Sequence, residues 1–458
     1  VSDVSRWERA LDPIADLPFP SLAESLARAR RLVSDRTGII SSVRFHETAA
    51  DDPEMYLVRA NLSDASVFVG STVRSGGSGA SVDPDRARIK AVGEAIERYC
   101  SAIHAPERLV YATWNDLGEQ ASPPETFALF SQRQYAEPGF PFAPFTRETP
   151  INWVRGYSLV HRVERYVPAA YTYLAYEHAE HGEARFNQPI STGCAAGPTL
   201  AAAATKAILE SIERDAFMIT WQHRLAPQQV DLERVADPLV IRLLDAFAGL
   251  PVTIRAVSVS VDIGIPVILI VVASASGQPP CRLVAMGTDP DPARALVLAL
   301  EEACLSFWSV RRIIAHSTTP PMTNFDDITQ LHDRAEAYAL LPGLQPALAF
   351  LEQPKGVLDV VDAGGAAEPG MSGRLRRVMD EVATRGLDVI AVDLTTPDID
   401  DVGFKVVRAV IPGLQPLDID HRHRHLGGRR LAEVPWRMGL ANAPVGEDAF
   451  NPHPHPFP

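Results

Sequence analysis

The sequence predicts an α+β fold, and three observations point there. Residues 84–102, 200–222 and 292–315 each show apolar residues at helical spacing over a long stretch. Short alternating or apolar runs of strand type lie between and after them. The order of strands and helices lacks the regular alternation that builds a doubly wound parallel sheet.

The elements follow in order. A helix is expected over Ser21 to Ser34 and a strand over Met55 to Val58. Asp83-Pro84 opens the first long helix with an N-cap and a proline at its first position, and Asp291-Pro292 does the same for the third. Strands are expected in 152–159, 166–171, 252–260, 266–273, 281–286, 387–394 and 404–410. Val361 to Ser372, rich in glycine and alanine, reads as a surface loop. Three regions are expected: an N-terminal α+β segment over 1–64, a catalytic domain over 65–440, and a proline-rich tail over 441–458.

Composition excludes several classes of function. The net charge of -14 argues against binding to nucleic acid, which needs a basic face. No run approaches the roughly 18 apolar residues of a membrane helix. Cys100, Cys194, Cys281 and Cys304 form no C-x-x-C pair, so neither a zinc site nor a disulfide framework is expected. With no apolar stretch of signal-peptide type near residue 1, a reducing cytoplasm is the expected location.

An internal repeat points to chemistry. Ala91-Val-Gly-Glu94-Ala-Ile-Glu97-Arg98 matches Ala207-Ile-Leu-Glu210-Ser-Ile-Glu213-Arg214. Glutamates three apart share a helix face and repel, and here their flanks are apolar rather than charged. Acids embedded in apolar helices need a cation or a hydrogen-bond partner. Facing one another, the two helices would bring together Glu94, Glu97, Glu210 and Glu213, oxygen ligands suited to Mg²⁺. Each helix follows a stretch of small residues, Ser75 to Ser81 and Ser191 to Gly197, whose backbone amides could receive an anion. No Walker motif or complete G-x-G-x-x-G is present.

At these blocks the sequence resembles the YcaO family over roughly residues 65 to 440. The family pattern is a glycine-rich loop and a helix ending E-x-x-E-R, then S-[NT]-G-x-A-A-G and a helix ending E-x-I-E-R-D-A followed by tryptophan. Here the second part reads Ser191 to Gly197, Glu210 to Ala216 and Trp221. The resemblance implies mixed sheets with long helices carrying paired glutamates. It also implies an ATP site in which Glu94, Glu97, Glu210 and Glu213 hold Mg²⁺ against the phosphates. Arg98, Arg214, Ser81 and Arg408 would support the nucleotide, and Glu97 and Glu213 would act in catalysis. Ser78 stands where the family often has lysine, and Thr192 where it often has asparagine. The third helix keeps only Glu302 and Ala303 of the family's Glu-Ala-x-Gln-x-Arg, and stays outside the expected ligand set.

The tail, Asn451-Pro-His-Pro-His-Pro-Phe-Pro458, is held extended by its alternating prolines. Such an end resembles the azoline-forming branch, in which the terminal carboxylate reaches the active site. That implies a role for Pro458 as base or orienting group. The reaction implied is ATP-dependent cyclodehydration of Cys, Ser or Thr in a ribosomally made precursor peptide. A separate leader-binding partner protein is expected, a flavin dehydrogenase and a homodimer are further partners weighed, and no nucleic acid or membrane is involved. Thioamide or amidine formation and a non-catalytic nucleotide-binding scaffold are the alternatives. His421, His423 and His425 alternate as on a strand face; a polar loop near phosphate or substrate is preferred to zinc.

Overall fold

The computed structural model describes residues 3–12, 19–64, 66, 76–316, 324–358, 360 and 370–457. The chain begins with α1 (Asp3–Leu11), α2 (Leu22–Arg30), β1 (Ile40–His46), β2 (Tyr56–Leu62), β3 (Gly77–Ser81) and α3 (Pro84–Ala102). There follow β4 (Leu109–Ala112), β5 (Ile151–Ser158), β6 (Val163–Pro168), β7 (Cys194–Gly197) and α4 (Leu200–His223). Next come β8 (Gln228–Val230), α5 (Pro238–Asp245), β9 (Val252–Ser258), β10 (Val267–Ser274), β11 (Arg282–Thr288), α6 (Pro292–His316) and α7 (Leu331–Leu340). The chain closes with β12 (Val357–Leu358), α8 (Gly370–Ala383), β13 (Ile390–Asp393), β14 (Lys405–Val410) and α9 (Arg429–Arg437). Shorter helical turns link these elements.

Three sheets result. One has the order β1-β2-β3, the second β11-β10-β9-β8-β12, and the third β4-β5-β13-β14-β7 with β6 on β5. All pairs are antiparallel except β12 with β8. The fold is therefore α+β. The first sheet crosses the expected boundary at residue 65, since β2 of the N-terminal segment pairs with β3.

Each sheet delivers one long helix. β3 leads into α3, β7 into α4 and β11 into α6. Caps set the starting points: Asp83 accepts from the amides of Asp85 and Arg86, Thr199 from Ala202, and Asp291 from Ala293. The glycine-rich stretch before α3 forms strand β3 where an open anion loop was expected. Its glycines serve close packing: a Cβ at Gly79 would lie 2.2 Å from the Ala87 carbonyl oxygen. Gly287 repeats the arrangement, 2.3 Å from the Ala295 carbonyl oxygen. The second small-residue stretch likewise becomes a turn at Ser191 to Gly193 and strand β7.

Helix α4 is enclosed on every side but the one that carries Lys206, Glu210 and Arg214. Its residues pack with Ala195, Val407 and Ala409 of the third sheet and with Val267, Leu269 and Val271 of β10. The alternate residues of β10, Ile268, Ile270 and Val272, pack with α6. On the other face of the third sheet, Cys194, Ala196 and Val406 pack with Ala91, Ala95 and Ile96 of α3. Burial of each such Val, Leu or Ile contributes about 1.5–3 kcal/mol, so this core holds the acidic helix faces in place.

Residues 421–423 form a 3-10 turn, a loop as preferred from the sequence and not a strand face. Gly370 to Ser372 open α8, so the expected loop ends earlier, its residues 361–369 lying outside the described ones. The tail follows no helical or strand period but is largely buried, with Asn451, His455 and Phe457 all inside.

Candidate functional site

The sequence repeat is also a structural repeat. Lys90 Nζ donates to the carbonyl of Ala80 at 3.2 Å, and Lys206 Nζ to that of Ala196 at 3.3 Å, ten residues back in each case. Each helix thus stands on its own preceding strand in the same way. Further along each helix an arginine bridges its two glutamates. Arg98 lies 3.4 Å from Glu94 and 3.2 Å from Glu97; Arg214 lies 3.8 Å from Glu210 and 3.2 Å from Glu213. Thr288, at the end of β11, donates to Glu213 at 2.9 Å.

The two faces meet. Burial pushes the Glu97 carboxyl up to about 8, with Glu210 of the other helix and Glu94 adding to the rise and Arg98 and Lys206 opposing it. Burial also raises Glu213, opposed by Arg214 and Thr288. The structure adds a fifth carboxylate, Glu302 of α6, that sequence reading left out. Burial pushes it up to about 7, and the charges of Glu94 and Glu213 reinforce the shift. Its signal was present: Gly287, Asp291-Pro292 and Glu302 repeat the spacing of Gly79, Asp83-Pro84 and Glu94. The loss of the second glutamate and the arginine, replaced by Leu305 and Ser306, hid it. Beside it Glu301 pairs with Lys90 at 2.5 Å.

The remaining predicted residues fall in different places. Ser81 is buried, and its hydroxyl accepts the Asp83 amide, shaping the turn into α3. Ser78 is nearer the acids, its amide donating to Glu94 at 2.7 Å. Arg59 of β2 donates to the Ser78 hydroxyl at 2.8 Å. A cation therefore stands beside the loop position that lacks lysine, and strand pairing, invisible in the sequence, puts it there. Arg408 is buried in β14, donating to the Ile190 carbonyl at 2.7 Å and lying 3.1 Å from Cys194 Sγ. It lines a shallow, open cleft with Tyr171, Thr192, Ser211 and Gln415.

Pro458 lies outside the described residues. Phe457 does not: its ring packs under the Arg214 guanidinium, 3.9 Å from centroid to Cζ, and against Phe217. The three histidines of 421–425 disperse. His423 pairs with Asp420, His425 with Asp418, and His421 is pushed down to about 4 by burial and the neighbouring Arg334 and Arg424.

Among the described residues no group of three or more His, Cys, Asp or Glu side chains is set to hold a metal ion. The donor set still suits Mg²⁺, which takes one or two carboxylates and completes its shell with water and phosphate oxygens. Among the five glutamates, burial raises the proton affinity of Glu97, Glu213 and Glu302 despite the neighbouring arginines and lysines. Carboxylates in that condition gain from a divalent cation.

Comparison with known proteins agrees with the geometry. A protein of Methanothermobacter thermautotrophicus described as uncharacterized is 25% identical over 392 residues, 84% of this chain and 93% of its own length. A solved heterocyclase in complex with substrate and cofactor aligns with a TM-score of 0.78 at 23% identity, covering 99% of this chain. This chain spans 60% of that longer one. A YcaO protein of Methanopyrus kandleri, solved with AMPPCP and Mg²⁺, aligns with a TM-score of 0.64 at 18% identity, covering 86% of this chain and 92% of its own. These likenesses establish the fold. Residues 78–415 match the family described as YcaO cyclodehydratase, ATP- and Mg²⁺-binding, and the chain belongs to the YcaO family.

Proposed function

We propose that the chain is an ATP-dependent cyclodehydratase. It would convert Cys, Ser or Thr residues of a ribosomally made precursor peptide to thiazolines or (methyl)oxazolines. The observation that supports this most is the meeting of glutamates from α3, α4 and α6 with Arg214, against which the proline-rich tail is packed. Membership of an ATP- and Mg²⁺-binding family supports Mg²⁺ and ATP as the ligands of that acidic cluster.

In this reading Glu94, Glu97, Glu210, Glu213 and Glu302 would share between them the Mg²⁺ ions that accompany the triphosphate, one or two carboxylates to each. Bound Mg²⁺ would offset charge on the phosphate oxygens. Arg98 and Arg214 orient the glutamates, and Arg214 adds a positive charge where the tail approaches. Arg59, next to Ser78, faces the same ligand, and Arg408 meets the nucleotide from the cleft. The substrate side chain gives its proton to a base and attacks the preceding amide carbon, forming a C–S or C–O bond as the C=O π pair moves onto the carbonyl oxygen. The former carbonyl oxygen then takes the γ-phosphoryl group of ATP, as the bond from the γ-phosphorus to the β-phosphate oxygen breaks and ADP leaves. That oxygen's C–O bond breaks with release of phosphate, C=N forms, and the amide proton leaves to a base. The terminal carboxylate of Pro458 and the high-affinity carboxylates Glu97 and Glu213 are the proton acceptors proposed. A leader-binding partner protein would deliver the precursor.

The test is the mass of a precursor peptide incubated with the chain, its partner protein, ATP and Mg²⁺. Loss of one water per modified residue, absent without ATP and with Glu97→Gln or Glu213→Gln, is expected. Unchanged mass despite nucleotide binding would overturn the reading in favour of a scaffold. A gain from replacing oxygen by sulfur, given a sulfide source, would replace it with thioamidation.

A further inference from the structure

The tail is attached along its length rather than only at its end. Prolines 452, 454 and 456 have no amide to donate, so the tail's carbonyls are its principal polar points. Three of them are taken by side chains from three different elements. Arg424 Nη2 donates to the Asn451 carbonyl at 2.7 Å. The Trp221 indole nitrogen donates to that of His453 at 3.1 Å, and the Tyr338 hydroxyl to that of Pro454 at 2.7 Å.

The same segment also completes α4. The Asn451 amide donates to the Gln222 carbonyl at 2.8 Å, and its side-chain amide donates to the Trp221 carbonyl at 3.2 Å. The Trp221 carbonyl also accepts the Arg224 amide at 3.3 Å, whereas last-turn carbonyls such as that of Gln222 have no partner within the helix. From there the tail runs back along α4: His455 lies by Phe217, and Phe457 lies between Phe217 and Arg214. One turn separates Phe217 from the Glu213–Arg214 pair. The anchors therefore set where the chain end stands relative to the glutamates.

We propose that Trp221, Tyr338 and Arg424 are positioning residues that hold the tail by its carbonyls and fix how far it reaches towards Arg214 and Glu213. Only the kinetic part of this inference rests on the cyclodehydratase reading. Tyr338→Phe keeps the buried ring and removes one donor, so the fold survives and only the anchor is lost. Arg424→Met is an independent second variant.

Hydrogen exchange followed by mass spectrometry on the full-length chain tests the placement. In Tyr338→Phe the amides of His453, His455 and Phe457 should exchange about five- to tenfold faster, the worth of one net hydrogen bond, while α4 and β14 keep their rates. In the peptide assay kcat should fall while KM for the precursor holds. Unchanged tail exchange in both variants would overturn the inference, as would equal acceleration throughout α7 and β11, which marks a purely structural role. A loosened tail with unchanged kcat would remove the link to chemistry. If the parent chain leaves the precursor unmodified but the tail responds as stated, the anchors stand and the cyclodehydratase reading falls.

Discussion

The Glu97 carboxyl shows what the site costs without its ligand. Its proton affinity is pushed up to about 8, against the ordinary 4.5. Between those values the folded chain holds a proton that the unfolded chain has released, so stability falls as pH rises through this window. Glu97→Gln removes the charge and keeps the shape. It should therefore melt higher than the parent at pH 8 in the absence of Mg²⁺ and nucleotide, yet lose ATP turnover by about 100-fold or more. Thermal melts and a phosphate-release assay measure the two effects; a variant that melts lower at pH 8 would contradict this account of the charge. The repeat made Glu94, Glu97, Glu210 and Glu213 legible in the sequence. Glu302 stayed hidden because only half of its motif survives, and Arg59 because a strand register, not a motif, brings it to Ser78.

Elements were legible where local chemistry acts alone. The Asp-Pro caps placed the starts of α3 and α6, and the run of Val and Ile placed β10. Alternation at 421–425 does not by itself distinguish a strand from a turn, and the preferred loop is tied down by Asp420 and Asp418. The glycines before α3 did mislead: they look like an anion loop, but their bareness lets a helix approach a strand. That difference can be tested on neighbouring residues. Gly79→Ala would place a methyl 2.2 Å from the Ala87 carbonyl oxygen, a backbone atom with no room to move. It should destabilise the chain by about 2–3 kcal/mol in urea titration. Gly93, on α3 itself, has nothing within 4 Å of its missing Cβ. Gly93→Ala should instead stabilise by about 0.5–1 kcal/mol through helix propensity. Equal effects at the two positions would mean that the close strand–helix packing is not what Gly79 provides.

At the scale of the whole molecule, the acidic cluster is the place where three sheets meet. α3, α4 and α6 each come from a different one. A ligand held by all three helices bridges parts of the chain that no single sheet unites. The distances between the three could not be read from sequence, because they depend on how β10 and the third sheet enclose α4. Cation binding and protons compete for the same carboxylates. At pH 6 Glu97 and Glu302, with affinities of about 8 and about 7, still hold protons that Mg²⁺ must displace. At pH 8 the Glu302 proton is largely gone and Glu97 has lost about half of its own. Each proton displaced weakens binding about tenfold per pH unit below the carboxyl's own value. At 100 times Kd a ligand stabilises by about 2.7 kcal/mol, and a weaker Kd erodes that gain directly. Mg²⁺ with a non-hydrolysable ATP analogue, at one fixed concentration, should therefore raise the melting temperature more at pH 8 than at pH 6. Glu97→Gln should shrink the difference between the two. Equal shifts at both values of pH would show that the cation does not enter this cluster, and would separate the glutamates of α3 and α6 from the nucleotide.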